Sequence, residues 1–144
     1  IETSVGLDRL FLSVLSASYT EEKLEDGSER TVLKIPAALA PYKIAVLPLV
    51  KKDGLPEKAQ EIMRMLHLDY TIQYDEKDSI GKRYRRQDAI GTPFAITVDH
   101  ETLESNTVTI RNRDTMIQER ISIDSLPAFL NAHCSWSSIL GALA

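Results

Sequence analysis

One cysteine, Cys134, is all the thiol chemistry this sequence of 144 residues holds. A lone cysteine closes no internal disulfide and builds no metal cage, so stability must come from a buried apolar core, and a reducing compartment, the cytoplasm, is the expected location. Long apolar runs are missing too. No stretch approaches the roughly 20 residues that span a bilayer, and no charged leader with an apolar segment precedes Ile1, so neither membrane insertion nor export is expected. An excess of positive charge is also lacking: 17 Lys and Arg face 21 Asp and Glu, for a net charge of −4. Such a chain does not coat nucleic acid broadly, so DNA is not an expected partner and any RNA contact has to be local. Histidine is scarce, with His67, His100 and His133 scattered one to an element, and no metal site is expected from them. No hydrolase triad assembles, and the glycine spacing of a Walker loop or dinucleotide fingerprint is absent.

What remains is ordinary globular composition, 43% hydrophobic and 26% charged, with room for one core and a short appendage. Leu7, Leu10, Phe11, Val14 and Leu15 recur at three- and four-residue spacing and predict an amphipathic helix over 6–18 that needs a partner surface. Residues 19–30 are rich in charge and read as a solvated turn or hairpin tip, after which Pro36 and Pro41 punctuate a linker. A boundary is placed near residue 40. Beyond it, Ile44, Ala45, Val46 and Leu47 form an unbroken apolar run, the mark of a strand buried on both faces, with Pro48 ending its pairing. Pro56 suits the first turn of a helix striped by Ala59, Ile62, Met63 and Leu66, and 70–74 alternates as a second strand, which implies a right-handed parallel crossover. Ser79 and Gly91 bracket a helix over 80–90, and 94–98 is a third strand. After a turn-rich link, 106–113 and 116–123 supply a fourth and fifth strand, and Leu126, Phe129 and Leu130 predict a final short helix with Pro127 in its first turn. The fold class is α/β, three layers (α/β/α) around a mixed, roughly five-stranded sheet.

The densest chemical signal is Gly81-Lys82-Arg83-Tyr84-Arg85-Arg86. With Ile80 as origin, the four cations fall between roughly 140° and 300° around an ideal helix, opposite a packing face. They serve either as a solvated face paired with Asp75, Glu76, Asp78 and Asp88, or as a phosphate-binding surface. Arg111 and Arg113 share one face of a strand and suit either pairing with Glu101 or Glu104 across a hairpin or bidentate contact with a base or phosphate. Lys51-Lys52-Asp53-Gly54 follows a buried strand at the usual ligand edge of an α/β sheet. At the N-terminus, Glu2, Ser4 and Arg9 stand at a strand-to-helix junction, where they either present three polar groups to one ligand or merely cap and pair, Ser4 with helix amides and Arg9 with Glu2 or Asp8.

The segment Glu2-x-Ser4-x-Gly6-x-Asp8-Arg9 resembles motif 3 of class II aminoacyl-tRNA synthetases, in the form used by glycyl-tRNA synthetases. The stretches Leu47-Pro48-Leu49-Val50-Lys51-Lys52-Asp53-Gly54, Ser79-Ile80-Gly81-Lys82-Arg83-Tyr84-Arg85-Arg86-Gln87-Asp88, Ile90-Gly91-Thr92-Pro93-Phe94 and Thr107-Val108-Thr109-Ile110-Arg111-x-Arg113 resemble the C-terminal anticodon-binding domain of that family. The likeness runs nearly gap-free over about 1–123, and the tail from 132 matches no such pattern. It implies a ligase of protein biosynthesis that activates glycine with ATP and Mg2+, transfers it to tRNA(Gly), and works as a cytoplasmic homodimer. Carried over by position, Glu2 and Ser4 would contact the glycine amino group and Arg9 the ATP phosphates. Lys77, Glu101, Arg111 and Arg113 would meet anticodon bases, and Lys82, Arg83 and Arg86 the tRNA backbone. Residues 1–40 are then the last piece of a catalytic domain with its linker, and 41–144 the anticodon-binding domain. Motifs 1 and 2 are absent, so this stretch alone is expected to bind no ATP, to lack the dimer core and to be inactive. Two other readings share the architecture: a non-catalytic accessory subunit of mitochondrial DNA polymerase, which loses the motif residues kept here as Glu2, Ser4 and Arg9, and a stand-alone adaptor for RNA or protein, which has no use for a motif 3 remnant.

Overall fold

The computed structural model describes residues 4–24 and 26–141. Helix α1 (Leu7–Ser18) starts at Gly6, which has extended backbone and makes no side-chain cap, so the capping expected of Ser4 is not formed. Its first turns stay in solvent, Leu7 79% and Phe11 64% exposed, while Val14 and Leu15 are half-buried. With no intervening linker the chain enters strand β1 (Tyr19–Lys23), which pairs antiparallel with β2 (Glu29–Leu33). The stretch expected to be a solvated turn or hairpin tip is therefore a hairpin, with 19–23 and 29–33 as ordered strand. Arg30 and Val32 of β2 point inward while Glu29 and Thr31 point out, and β2 lies along the third helix of the chain. That side-on docking turns a charged hairpin into part of the body.

The main sheet is built as expected from one buried run. Strand β3 (Ile44–Pro48) is buried throughout. Helix α2 (Leu55–Leu66) carries Pro56 in its first turn and leads to β4 (Ile72–Tyr74), which lies parallel to β3 on its outer side. Helix α3 (Ile80–Ile90) ends at Gly91 in the left-handed conformation, φ 84°, and β5 (Phe94–Val98) joins β3 in parallel on the other side. A short helix α4 (His100–Ser105) precedes β6 (Thr107–Asn112) and β7 (Gln118–Ser122), both antiparallel additions, giving the order β4-β3-β5-β6-β7. Helix α5 (Leu126–Cys134) and a terminal turn of helix, α6 (Trp136–Leu140), close the chain.

The two faces of β3 meet different layers. Ile44 and Val46 enter the large core with Leu55, Ala59, Ile62 and Leu66 of α2 and Leu126, Leu130 and Cys134 of α5. Each large side chain fully buried there is worth about 1.5–3 kcal/mol relative to exposure. Ala45, Leu47 and Ala95 face α3, where Ile80 and Tyr84 supply only a thin apolar cover. The rest of the α3 layer is polar, with Arg83, Gln87 and Asp88 buried in it. Among the described residues no helix is long and apolar enough to cross a membrane.

Candidate functional site

Strands β3, β4 and β5 run in parallel and end together at Pro48, Tyr74 and Val98, so the segments 49–54, 75–79 and 99–106 gather at one edge of the sheet. Arg83 ties two of them from inside. It is 3% exposed, and its Nη1 donates to Pro48 O at 2.6 Å and Asp75 O at 3.4 Å, its Nη2 to Leu49 O at 3.1 Å. Arg86 braces the 75–79 loop from the solvent side, donating to Asp75, Asp78 and the Lys77 carbonyl at 2.9, 2.9 and 2.6 Å. Burial pushes the Asp75 carboxyl up, but the Lys77 amide and the Arg86 guanidinium outweigh it and hold it below the usual carboxylate range. The loop is thus fixed by its own carboxylates while the Lys77 side chain stands in solvent.

Across the edge, Asp99 caps α4 with a reciprocal box: its Oδ1 accepts from the Thr102 amide at 3.0 Å and its own amide donates to Thr102 Oγ1 at 3.1 Å. Arg120 of β7 grips both Asp99 oxygens at 2.8 and 2.9 Å and also approaches Glu101 Oε1 at 3.3 Å. The Arg120 hydrogen bonds, against the effect of burial and with help from Thr102, lower the Asp99 carboxyl to about 2. Glu101 is therefore an exposed acceptor steadied by a neighbouring guanidinium. Arg120 was not among the residues singled out from the sequence. Its register opposite Thr109, which brings it to the same edge, carries no signal in the sequence. His100 Nε2 meets Asp53 Oδ2 at 3.2 Å and links α4 to the 49–54 loop, where Lys51 and Lys52 are exposed.

The structure brings Lys77 and Glu101 to this edge but not Arg111 or Arg113. Arg111 sits across from Ala95 and Gln118, toward the opposite end of β6. It is 6% exposed, its guanidinium lies 4.8 Å over the Tyr84 ring, and its Nη1 and Nη2 donate to Asp88 at 2.8 and 3.1 Å. Arg113 is also buried and donates to Ile35 O at 3.0 Å, to Gly91 O at 2.8 Å and to Asp114. Neither guanidinium has a face left for a base, and neither pairs with Glu101 or Glu104. The cationic face expected of α3 is corrected in the same way. Arg83 turns inward because a long stem can cross a thin apolar layer and deliver its charge to carbonyls beyond it. Arg86 is occupied by carboxylates, whereas Lys82 is exposed.

At the N-terminus, Ser4 and Arg9 are exposed on and before α1, and Glu2 lies outside the described residues. Among the described residues Arg9 forms no ion pair with Asp8, and its carbonyl accepts from Ser13 Oγ at 2.7 Å. Among the described residues no group of three His, Cys, Asp or Glu is placed to hold a metal ion.

Residues 43–133 match the family model described as anticodon binding domain. Similar proteins include the glycine–tRNA ligase of Borrelia hermsii, 52% identical over 130 residues, covering 90% of this chain and 29% of that protein. The glycine–tRNA ligase of Mycoplasma mycoides is 55% identical over 132 residues, covering 92% of this chain and 28% of that protein. Among solved structures, the RNA binding domain of threonyl-tRNA synthetase from Cryptosporidium parvum superposes with a TM-score of 0.63 at 23% identity, covering 69% of this chain and 25% of that one, a likeness of fold. The chain thus spans less than a third of the length of the curated relatives it matches.

Proposed function

The chain belongs to the anticodon binding domain family, and from that premise we propose that it reads the anticodon of tRNA(Gly) as part of a cytoplasmic glycine–tRNA ligase. The observation that carries this reading is identity above one half over nine-tenths of the chain with glycine–tRNA ligases. In it, base contacts fall to Lys77 and Glu101 at the carboxyl edge of the sheet. Glu101 accepts from an exocyclic amine such as that of cytosine, and Lys77 donates to base or phosphate. Lys82 meets the tRNA backbone, Arg86 sets the loop that carries Lys77, and Arg83, Arg111 and Arg113 hold the frame.

Residues 1–40 take the role of the last piece of a catalytic domain, and 41–144 that of the anticodon-binding domain. Glu2 and Ser4 then hold the amino group of glycine, and Arg9 offsets the negative charge that grows on ATP phosphate oxygens as the adenylate forms. ATP with Mg2+, the remaining walls of that site and the homodimer contact belong to chain beyond these residues.

The test is binding of two RNA stem-loops, one with the tRNA(Gly) anticodon and one with its bases exchanged. Discrimination in favour of the first is expected. Glu101→Gln should relax it by about 1–3 kcal/mol, and Lys82→Ala should weaken both RNAs alike and reduce the salt slope by about 1. Equal binding of the two RNAs at matched salt would sink the proposal.

A further inference from the structure

Five charges of alternating sign run through the molecule from the hairpin to the sheet. Lys34 Nζ meets Glu22 Oε1 at 2.6 Å, Glu22 Oε2 meets Arg30 Nη2 at 2.6 Å, Arg30 Nη1 meets Asp88 Oδ2 at 3.1 Å, and Asp88 Oδ1 meets Arg111 Nη1 at 2.8 Å. The middle of the chain is dry: the Arg30 and Asp88 side chains are each 1% exposed. Lys34, with Arg30 behind it, holds the Glu22 carboxyl below the usual range, so the hairpin end of the chain stays ionised. Arg30 also donates to Arg113 O at 3.0 Å, and Arg113 returns the contact by donating to Ile35 O beyond the hairpin at 3.0 Å.

The same hairpin is fastened to α1. Lys34 N donates to Ser18 O at 2.6 Å, Tyr19 N caps Leu15 O, and strand follows helix with no residue between. On the body side the fit is close. A methyl group on Gly91 would fall 2.8 Å from Ile35 Cγ2 and 3.1 Å from Leu33 O. Buried ion pairs give little net stability because desolvation offsets their attraction, but their geometry is exacting. Two cations on one dry carboxylate therefore make a poor glue and a good register device.

We infer that Arg30 is a positioning residue: through Asp88 it locks the hairpin, and with it α1, to the body that carries the carboxyl edge, so that the two turn as one rigid piece. The joint stands on the contacts above. Its meaning for catalysis, that α1 with Arg9 is held at a set angle to the RNA-reading edge, rests on the function proposed in the preceding subsection.

The critical variant is Arg30→Met, which leaves the Asp88–Arg111 and Glu22–Lys34 pairs in place, with Glu22→Gln as a milder second variant. In the 144-residue chain, spin labels at Ser16→Cys and Glu104→Cys, both exposed positions, read the angle between α1 and the body. One narrow distance distribution is expected in the parent, a broad one in Arg30→Met and an intermediate one in Glu22→Gln. Hydrogen exchange should show amides of 19–23 and 29–33 opening at least about tenfold faster in Arg30→Met, with β3 and β5 within about twofold of the parent. An unchanged narrow distribution, or equal acceleration of hairpin and core amides, would overturn the joint, the latter by making Arg30 a general stabiliser. In the longer ligase, Arg30→Met should lower tRNA charging by about tenfold while glycine-dependent ATP–pyrophosphate exchange stays within about twofold. Equal loss of both overturns the positioning role. A parent enzyme without glycine-dependent exchange refutes the ligase reading instead, and the label distances still decide the joint.

Discussion

Beneath α3 the Asp88 carboxylate lies between two buried guanidiniums, of which Arg30 also pairs with Glu22 at the hairpin. Replacing Asp88 by Asn preserves the shape and removes the charge, leaving Arg111 a buried cation against a neutral amide and Arg30 with only its Glu22 pair. Loss of one partner from such an arrangement costs about 3–5 kcal/mol. A urea titration should show that loss as a lower midpoint, and a change under about 1 kcal/mol would mean that water reaches the layer. The Asp99–Arg120 pair acts on pH rather than on packing. Its folded carboxyl titrates at about 2 against an ordinary 3.8, so the pair stabilises the fold fully above the ordinary value and loses that contribution as pH falls through about 2. The urea midpoints of the parent and of Arg120→Met should therefore be separated at pH 6 and converge as pH approaches 2. A gap that stays constant across that window would show that Arg120 contributes by packing alone.

At the level of elements, Gly91 joins two demands at one position, a left-handed turn and the near approach of the segment after β2. Gly91→Ala should lower stability by more than about 1 kcal/mol and speed exchange in the hairpin first, since the added methyl group strikes Ile35 and Leu33. Exchange that changed only at the end of α3 would assign the cost to backbone strain alone. The elements most legible in the sequence were those with strong periodicity or punctuation: the apolar run of β3, the stripe of α2, and α3 between Ser79 and Gly91. Helix α4 escaped notice because six residues carry no readable period, and its code is the Asp99 and Thr102 pair instead. The docking of the hairpin was hidden by its charges, which look solvated until a partner helix is known. Lys77 and Glu101, carried over from the family resemblance, were legible as neighbours at one sheet edge, because loop ends of a parallel sheet gather there. Arg111 and Arg113 were not, because strand alternation says that two side chains share a face and is silent on whether that face meets water or a helix. Arg83 misled for a related reason: angular position describes where a side chain starts, and an arginine ends some six bonds further on.

For the molecule as a whole, the imbalance lies at α1. Leu7, Leu10, Phe11 and Leu12 project into solvent on a helix that the body does not cover, while the sheet and its two helical layers are complete without it. The double variant Leu10→Glu, Phe11→Glu should leave the urea midpoint within about 0.5 kcal/mol of the parent and suppress concentration-dependent association in sedimentation. A large drop in midpoint would show instead that α1 contributes to the same cooperative unit as the sheet.

Cys134 offers a way to watch that unit from within. Its thiol is 5% exposed between α5 and the main core, and burial raises it to about 11 against the opposing pull of Lys43. A neutral, buried thiol reacts only slowly with a maleimide at pH 7, so alkylation is faster whenever α5 lifts away. The unmodified chain is thereby its own clock. The rate of thiol capture counts openings of one helix, and comparing it with the rate of global unfolding tells whether the C-terminal layer leaves early or together with everything else.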